Sequence, residues 1–118
     1  ERSVFGRTIG QNQGVQFPLA RCHVELKMAD MMCRRAAALF DAGVDCGEDA
    51  NIAKLVASEA AFKAADVAMQ TLGGFSYATE YEVERKWRET RIYQIAPIST
   101  NMILSYIGQH VLGLERSF

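Results

Sequence analysis

Residues 15–43 read VQFPLARCHVELKMADMMCRRAAALFDAG, and their spacing decides the fold. Val15, Leu19, Cys22, Leu26, Ala29, Cys33, Ala36 and Phe40 follow one another in alternating steps of four and three. An α-helix turns once every 3.6 residues or so, and such steps keep all of these side chains on one stripe of it. Pro18 falls near the start, where a missing backbone N–H costs little. Gly43 closes the segment, so one helix is predicted over about 15–43.

Working outward, a second helix is predicted over about 49–72. Ala53, Ala57, Ala60, Ala64 and Val67 form one stripe of it, and the larger Leu55, Phe62 and Met69 another. Alanine stripes let helix axes approach, so this helix is expected to lie between neighbours and to be buried on more than one side. TEYEVERKWRETR (79–91) predicts a short third helix over about 80–91, with Val83 and Trp87 inward and charges elsewhere. IYQIAPI (92–98) breaks it, because Pro97 disfavours helix at Ala96. Ser99 is placed to cap a last helix over about 100–112, with Ile103, Ile107 and His110 or Val111 on its inner face and Gly113 at its end. No strand-like alternation, repeat or low-complexity linker is evident. The expected fold is all-α, an antiparallel four-helix-bundle-type domain. Its first helix is expected to be truncated at the N-terminus, because ERSVF (1–5) reads as the end of something begun earlier. The chain opens on Glu1 in charged text and is expected to be a piece of a longer polypeptide.

A length of 118 residues fits one small domain. Net charge is -1, which gives no electrostatic reason to expect nucleic acid or an anionic membrane as partner. No apolar run reaches the roughly 18 residues that would span a bilayer. Cys22, Cys33 and Cys46 form no CxxC pair and fit reduced thiols, so a cytoplasmic location is expected. His23 and His110 have no partner at metal-ligand spacing, and no metal is expected.

AMQTLGGFSY (68–77) interrupts the helical text with two glycines, each unfavourable in a helix by about 1 kcal/mol relative to alanine. One reading is a helix stop followed by a turn. The other is close approach of the backbone to something flat or anionic.

RSVFGRTIGQNQGVQFPLA (2–20) and MQTLGGFSYATEYEVERKWRETRIYQI (69–95) resemble, in order and spacing, two signature segments of the acyl-CoA dehydrogenases. The resemblance covers essentially all of residues 1–118 and implies the C-terminal helical domain of that family, without its N-terminal helical and middle β domains. It implies a flavoenzyme that oxidises the α,β carbon bond of an acyl-CoA thioester with FAD. Electrons would pass to an electron-transfer flavoprotein, and subunits would form a homodimer or homotetramer. By match, Arg2, Phe5 and Gln13, together with Gln70, Gly73 and Gly74, would contact FAD bound mainly by a neighbouring subunit. Glycines let backbone N–H groups approach a dinucleotide. Arg2 would face its phosphates, and Phe5 would pack on a ring.

One landmark departs from the pattern. Where many members carry the catalytic glutamate, this chain has Pro97, which cannot take a proton, followed by Ile98 in place of glycine. Ser99 and Asn101 retain groups that could hydrogen-bond the flavin; equally, Ser99 caps the last helix and Asn101 sits in its first turn. The catalytic base is therefore expected upstream of Glu1, as in members that carry it on an earlier helix. Glu80, Glu82, Glu84 and Glu89 sit among Arg85, Lys86 and Arg88 and read as an ion-paired, solvated helix. The isolated segment is expected to be inactive. Two other readings stand beside this one. The first is a helical assembly module of a non-catalytic homologue; the second is a related acyl-CoA oxidase or flavin monooxygenase.

Overall fold

The computed structural model describes residues 2–116. Glu1, Ser117 and Phe118 lie outside the described residues, so ERSVF and LERSF are seen only in part. A hairpin of β1 (Ser3–Val4) and β2 (Arg7–Thr8) leads through a 3-10 turn (Ile9–Gln11) into α1 (Gln13–Asp41). There follow α2 (Gly47–Leu72), 3-10 turns at Gly73–Tyr77 and Thr79–Tyr81, and α3 (Val83–Ile92). Last comes α4 (Thr100–Tyr106), which continues as a π-helical turn (Ile107–Val111).

The four helices stand where the periodicity placed them, with ends displaced by a few residues. α1 ends in a left-handed cap. Gly43 has φ +68°, Val44 N–H donates to the Leu39 carbonyl (3.0 Å) and Gly43 N–H to that of Phe40 (3.0 Å). At the start of α2, the Asp45 carboxylate accepts from Gly47 N–H (3.0 Å), and Glu48 and Asp49 lie in the first turn, where the helix dipole favours acids. Ser99 caps α4 as expected, its Oγ accepting from Met102 N–H (3.4 Å).

The N-terminal segment differs from expectation. Residues 2–5, expected to end a truncated helix, are extended instead: Ser3 pairs with Thr8 and Val4 with Arg7, in antiparallel register. Strands of two residues are too short to show alternation in sequence. Phe5 (φ +54°) and Gly6 (φ +79°) form the two-residue turn between them, the doubly left-handed kind that matches strand twist.

α1 and α2 run antiparallel, clasped by Glu25–Lys63 (2.6 Å) and Arg35–Asp49 (2.5 Å). The side chains buried along them are small: Cys22, Ala29 and Ala36 on α1, and Ala53, Ser58 and Ala60 on α2. The predicted stripe of α1 is therefore only partly buried. Leu19, Leu26, Cys33 and Phe40 remain exposed, because small residues draw the axes together while larger flanking ones overhang a single partner helix.

α2 is the central element, packing against α1, α3 and α4. Along its C-terminal half lies α3. Trp87 meets Phe62 with ring centroids 5.6 Å apart and donates its indole N–H to Asp66 (3.0 Å), and the Arg91 guanidinium lies 5.4 Å from the Phe62 centroid. α4 covers the other half with Ile103, which is almost fully buried. Gly47 leaves room there for Tyr106, since a Cβ on it would fall 2.5 Å from the Tyr106 hydroxyl and the ring would have to shift. His110 and Val111, expected on the inner face, are exposed, because the π turn rotates the last residues of α4 outward.

The molecule is long and thin, 57 × 27 × 25 Å. Its radius of gyration is 18.0 Å, where a compact domain of this length has about 13.5 Å. Its accessible surface is 8597 Å², against roughly 6400 Å² for a typical monomer of its mass. A surplus of roughly 2200 Å², with Phe17, Met31, Phe40, Met102 and Leu112 among the exposed side chains, marks surface suited to partners.

Candidate functional site

Two segments far apart in sequence lie at the same end of the α1–α2 hairpin. Glu25 pairs with Lys63 across it. Counting outward from that pair, Gln13 at the start of α1 reaches the level of Gly73 at the end of α2. The arm carrying Arg2, Phe5 and Gln13 thus lies at the same end of the molecule as Gln70, Gly73 and Gly74.

The arm is held by its backbone. Ile9 N–H donates to the Arg2 carbonyl (2.9 Å), and Gln16 Nε2 to the Gly10 carbonyl (2.7 Å). These bonds use backbone groups of the arm and leave the Phe5 and Gln13 side chains unengaged among the described residues. Phe5 is fully exposed at the hairpin tip, in a left-handed conformation that costs a bulky L-residue about 1–2 kcal/mol. Among the described residues, the Arg2 and Arg7 side chains make no hydrogen bond or ion pair. Gln13 and Gln70 are exposed, and their amides likewise make no hydrogen bond among the described residues.

The bend shows what each glycine does. Gly73 adopts φ +56°, ψ −133°, a conformation essentially restricted to glycine, and its N–H still donates to the Met69 carbonyl. Its carbonyl accepts from Ser76 Oγ (2.6 Å), and Ser76 is buried. Gly73 is thus the helix stop, locked by a serine that no sequence pattern singled out. Gly74 has no positive φ, and a Cβ there would meet nothing within 4 Å. Nothing among the described residues requires it to be glycine.

Beside the bend, a cleft of about 510 Å³ opens between α2 and α3, with Gln70, Gly73, Tyr77 and Trp87 in its walls. Tyr77 is 79% exposed, and Phe75 stacks near Tyr81 at 5.4 Å. These aromatics are signalled in sequence only as a loop.

Ser99 and Asn101 are not part of this cluster. Gln94 Nε2 reaches the Ser58 carbonyl (3.5 Å) and the Lys54 ammonium reaches the Tyr93 carbonyl, so the loop before α4 lies halfway along α2. From Ser58 to Gln70 is about 18 Å of helix. The Ser99 hydroxyl already caps α4, whereas Asn101 faces a second cleft of about 450 Å³ beside Ser105 and Gln109. Pro97 is exposed, and its bond to Ala96 is cis.

Of the four acidic candidates, Glu82, Glu84 and Glu89 are paired rather than poised, whereas Glu80, exposed in the turn before α3, makes no hydrogen bond or ion pair among the described residues. Glu84 hydrogen-bonds Arg88 (2.8 Å), which holds its carboxyl below the usual carboxylate range. Glu82 and Glu89 both pair with Arg85, at 3.1 and 2.8 Å. A general base needs the opposite tuning.

Residues 1–112 match the family described as acyl-CoA dehydrogenase, C-terminal domain. The acyl-CoA dehydrogenase FadE12 of Mycobacterium tuberculosis is 44% identical over 119 residues, covering 99% of this chain and 31% of its own length. Among solved structures, a glutaryl-coenzyme A dehydrogenase in complex with glutaryl-CoA superposes with a TM-score of 0.90 at 35% identity, covering 99% of this chain and 30% of that one. An FAD complex of PigA does so with a TM-score of 0.91 at 29% identity, covering 96% and 29%. The chain thus spans about a third of the length of the curated relatives it matches. It belongs to the acyl-CoA dehydrogenase family, as a C-terminal domain.

Proposed function

We propose that residues 1–118 are the FAD-contacting and subunit-assembling domain of a longer flavoenzyme that α,β-dehydrogenates an acyl-CoA thioester. The observation that supports this reading is that the Arg2–Gln13 arm and the Gln70–Gly74 bend lie at the same end of the helical hairpin. That end offers the groups a dinucleotide asks for. The Arg2 guanidinium suits its phosphates. The Phe5 ring, already strained outward, offers a flat apolar face. Gln13 and Gln70 offer amide donors and acceptors, and the bare backbone at Gly74 admits close approach. FAD, when bound, accepts the electrons withdrawn from the acyl chain.

The task of this chain is to bind and orient. Arg2 and the bend fix the nucleotide end of a cofactor held mainly by a neighbouring subunit, in a homodimer or homotetramer. Asn101, about 18 Å away along α2, is suited to a separate contact. Pro97 takes no proton, Glu82, Glu84 and Glu89 are held by arginines, and Glu80 is exposed to solvent, where nothing tunes it as a base, so the base that removes the α proton comes from the polypeptide upstream. The electron acceptor is an electron-transfer flavoprotein, and the location is cytoplasmic.

The test is the intact parent polypeptide, purified and titrated anaerobically with acyl-CoA thioesters. A stoichiometric yellow flavin that bleaches on addition of an acyl-CoA is expected. A colourless protein that takes up no FAD would overturn the reading. A yellow protein inert to every acyl-CoA would favour a non-catalytic assembly module, the alternative that Pro97 motivates.

A further inference from the structure

From Arg2 to Val24 the sequence holds Arg2, Arg7 and Arg21 and no aspartate or glutamate. Residues 67–79, whose bend shares this end of the molecule, carry no charged side chain. Arg7 thus has no acid on its own arm or on the bend to pair with. The register of the hairpin fixes where it stands. Ser3 pairs with Thr8 and Val4 with Arg7, and the bond from Ile9 N–H to the Arg2 carbonyl (2.9 Å) carries the pairing one step further. Opposed residues of an antiparallel ladder share a face, and successive ones alternate. Arg2, Val4, Arg7 and Ile9 therefore line one face of the hairpin, and Ser3 and Thr8 the other.

Arg2 and Arg7 are diagonal neighbours on that face, with Cβ atoms about 7–8 Å apart, a gap that two side chains of this length close. Both are exposed, and neither makes a hydrogen bond or ion pair among the described residues. Like charges so placed repel each other, and the turn that holds them sets Phe5 at φ +54°. An anion between the two guanidinium groups removes that repulsion. Each guanidinium is a planar fork that takes two oxygens of one anionic group, so two forks on one face match a ligand with two linked anionic groups. A lone carboxylate leaves one fork unfilled; a pyrophosphate fills both.

We infer that Arg7 is a second phosphate-binding residue, which closes together with Arg2 on the pyrophosphate of the dinucleotide. This rests on the reading of that end of the molecule as a contact for FAD and gives the contact a second cation. Arg2 and Arg7 each take one phosphate, so a ligand without phosphates gains nothing from Arg7.

The test uses the intact parent polypeptide, stripped of flavin and titrated with FAD, with ADP and adenosine as competitors. Arg7→Gln is expected to raise the dissociation constants for FAD and ADP by about tenfold or more and to leave that for adenosine within about twofold of wild type. Arg7→Lys keeps the charge without the fork and is expected to recover part of the loss. Thermal melts of the flavin-free variants are expected to match wild type, as an arginine that only braces the hairpin would not. FAD and ADP bound by Arg7→Gln as tightly as by wild type, or ADP and adenosine weakened alike, would overturn the inference. In either case, loss of FAD by Arg2→Gln would leave the cofactor reading standing without Arg7. A wild-type parent that takes up no FAD would remove both.

Discussion

Replacing Phe5 with asparagine sets two effects against each other. Asparagine tolerates the left-handed region that Phe5 occupies at φ +54°, so the exchange relieves about 1 kcal/mol of strain in the hairpin turn. In the free polypeptide the ring touches nothing, being fully exposed, and its removal sacrifices no packing. With cofactor bound, the balance reverses. A phenylalanine carries about 150–250 Å² of buriable surface. If a nucleotide covers one face, roughly 100 Å² leaves water, worth about 2.5 kcal/mol at ~25 cal/mol per Å². That corresponds to an increase of about 70-fold in the dissociation constant for FAD. The assay is flavin fluorescence during titration of the apo parent, with thermal unfolding of the same apoprotein alongside. The expected result is weaker cofactor binding by an apoprotein at least as stable as wild type. FAD binding within twofold of wild type would refute the reasoning, whatever happened to stability.

Gly73→Ala is expected to destabilise the fold by about 1–3 kcal/mol, because φ +56°, ψ −133° is closed to alanine. Gly74→Ala is expected to leave the melting temperature almost unchanged while lowering flavin occupancy; parallel thermal melts and flavin absorbance separate the two. Ser76→Ala removes the hydroxyl that bonds the Gly73 carbonyl at 2.6 Å in a buried setting, and should cost about 1 kcal/mol in denaturant unfolding. Asp30 and Glu84 are lowered below their ordinary values of 3.8 and 4.5, chiefly by hydrogen bonds from Arg34 and Arg88. Their pairs therefore stabilise the fold above those values and lose that effect as pH falls through the lowered folded-state values. Melting temperature followed from pH 7 to pH 3 should show this as a small decline that 1 M salt suppresses and Asp30→Asn with Glu84→Gln removes.

The four helices were legible because each carries a 3.6-residue pattern and a readable end: Gly43 after α1, the glycine pair after α2, Ser99 before α4. The hairpin was not, since two residues per strand leave no alternation to see and its turn depends on a phenylalanine in an unusual conformation. Within the candidate site, the common placement of arm and bend at one end was not legible from spacing, because bringing residues 2–13 to the level of residues 70–74 takes the full length of two antiparallel helices. Sequence treated Gly73 and Gly74 as one signal; only backbone angles divide them into a residue the chain itself needs and one it does not. The role of Ser76 was invisible, as serine three residues past a glycine is unremarkable until burial is known. The separation of Ser99 and Asn101 from the bend depends on α3 running back along α2, a matter of packing.

The seam of small residues between α1 and α2 also acts as a gauge. Cys22, Ala29 and Ala36 mesh with α2 at one setting, pinned by Glu25–Lys63 and Arg35–Asp49, so neither helix can slip along the other without breaking both clasps. A slip of a single turn would carry Phe5 about 5.4 Å past the glycine bend. Bulky substitutions at Ala29 or Ala60, remote from that end of the molecule, should therefore misalign it without altering any residue in it.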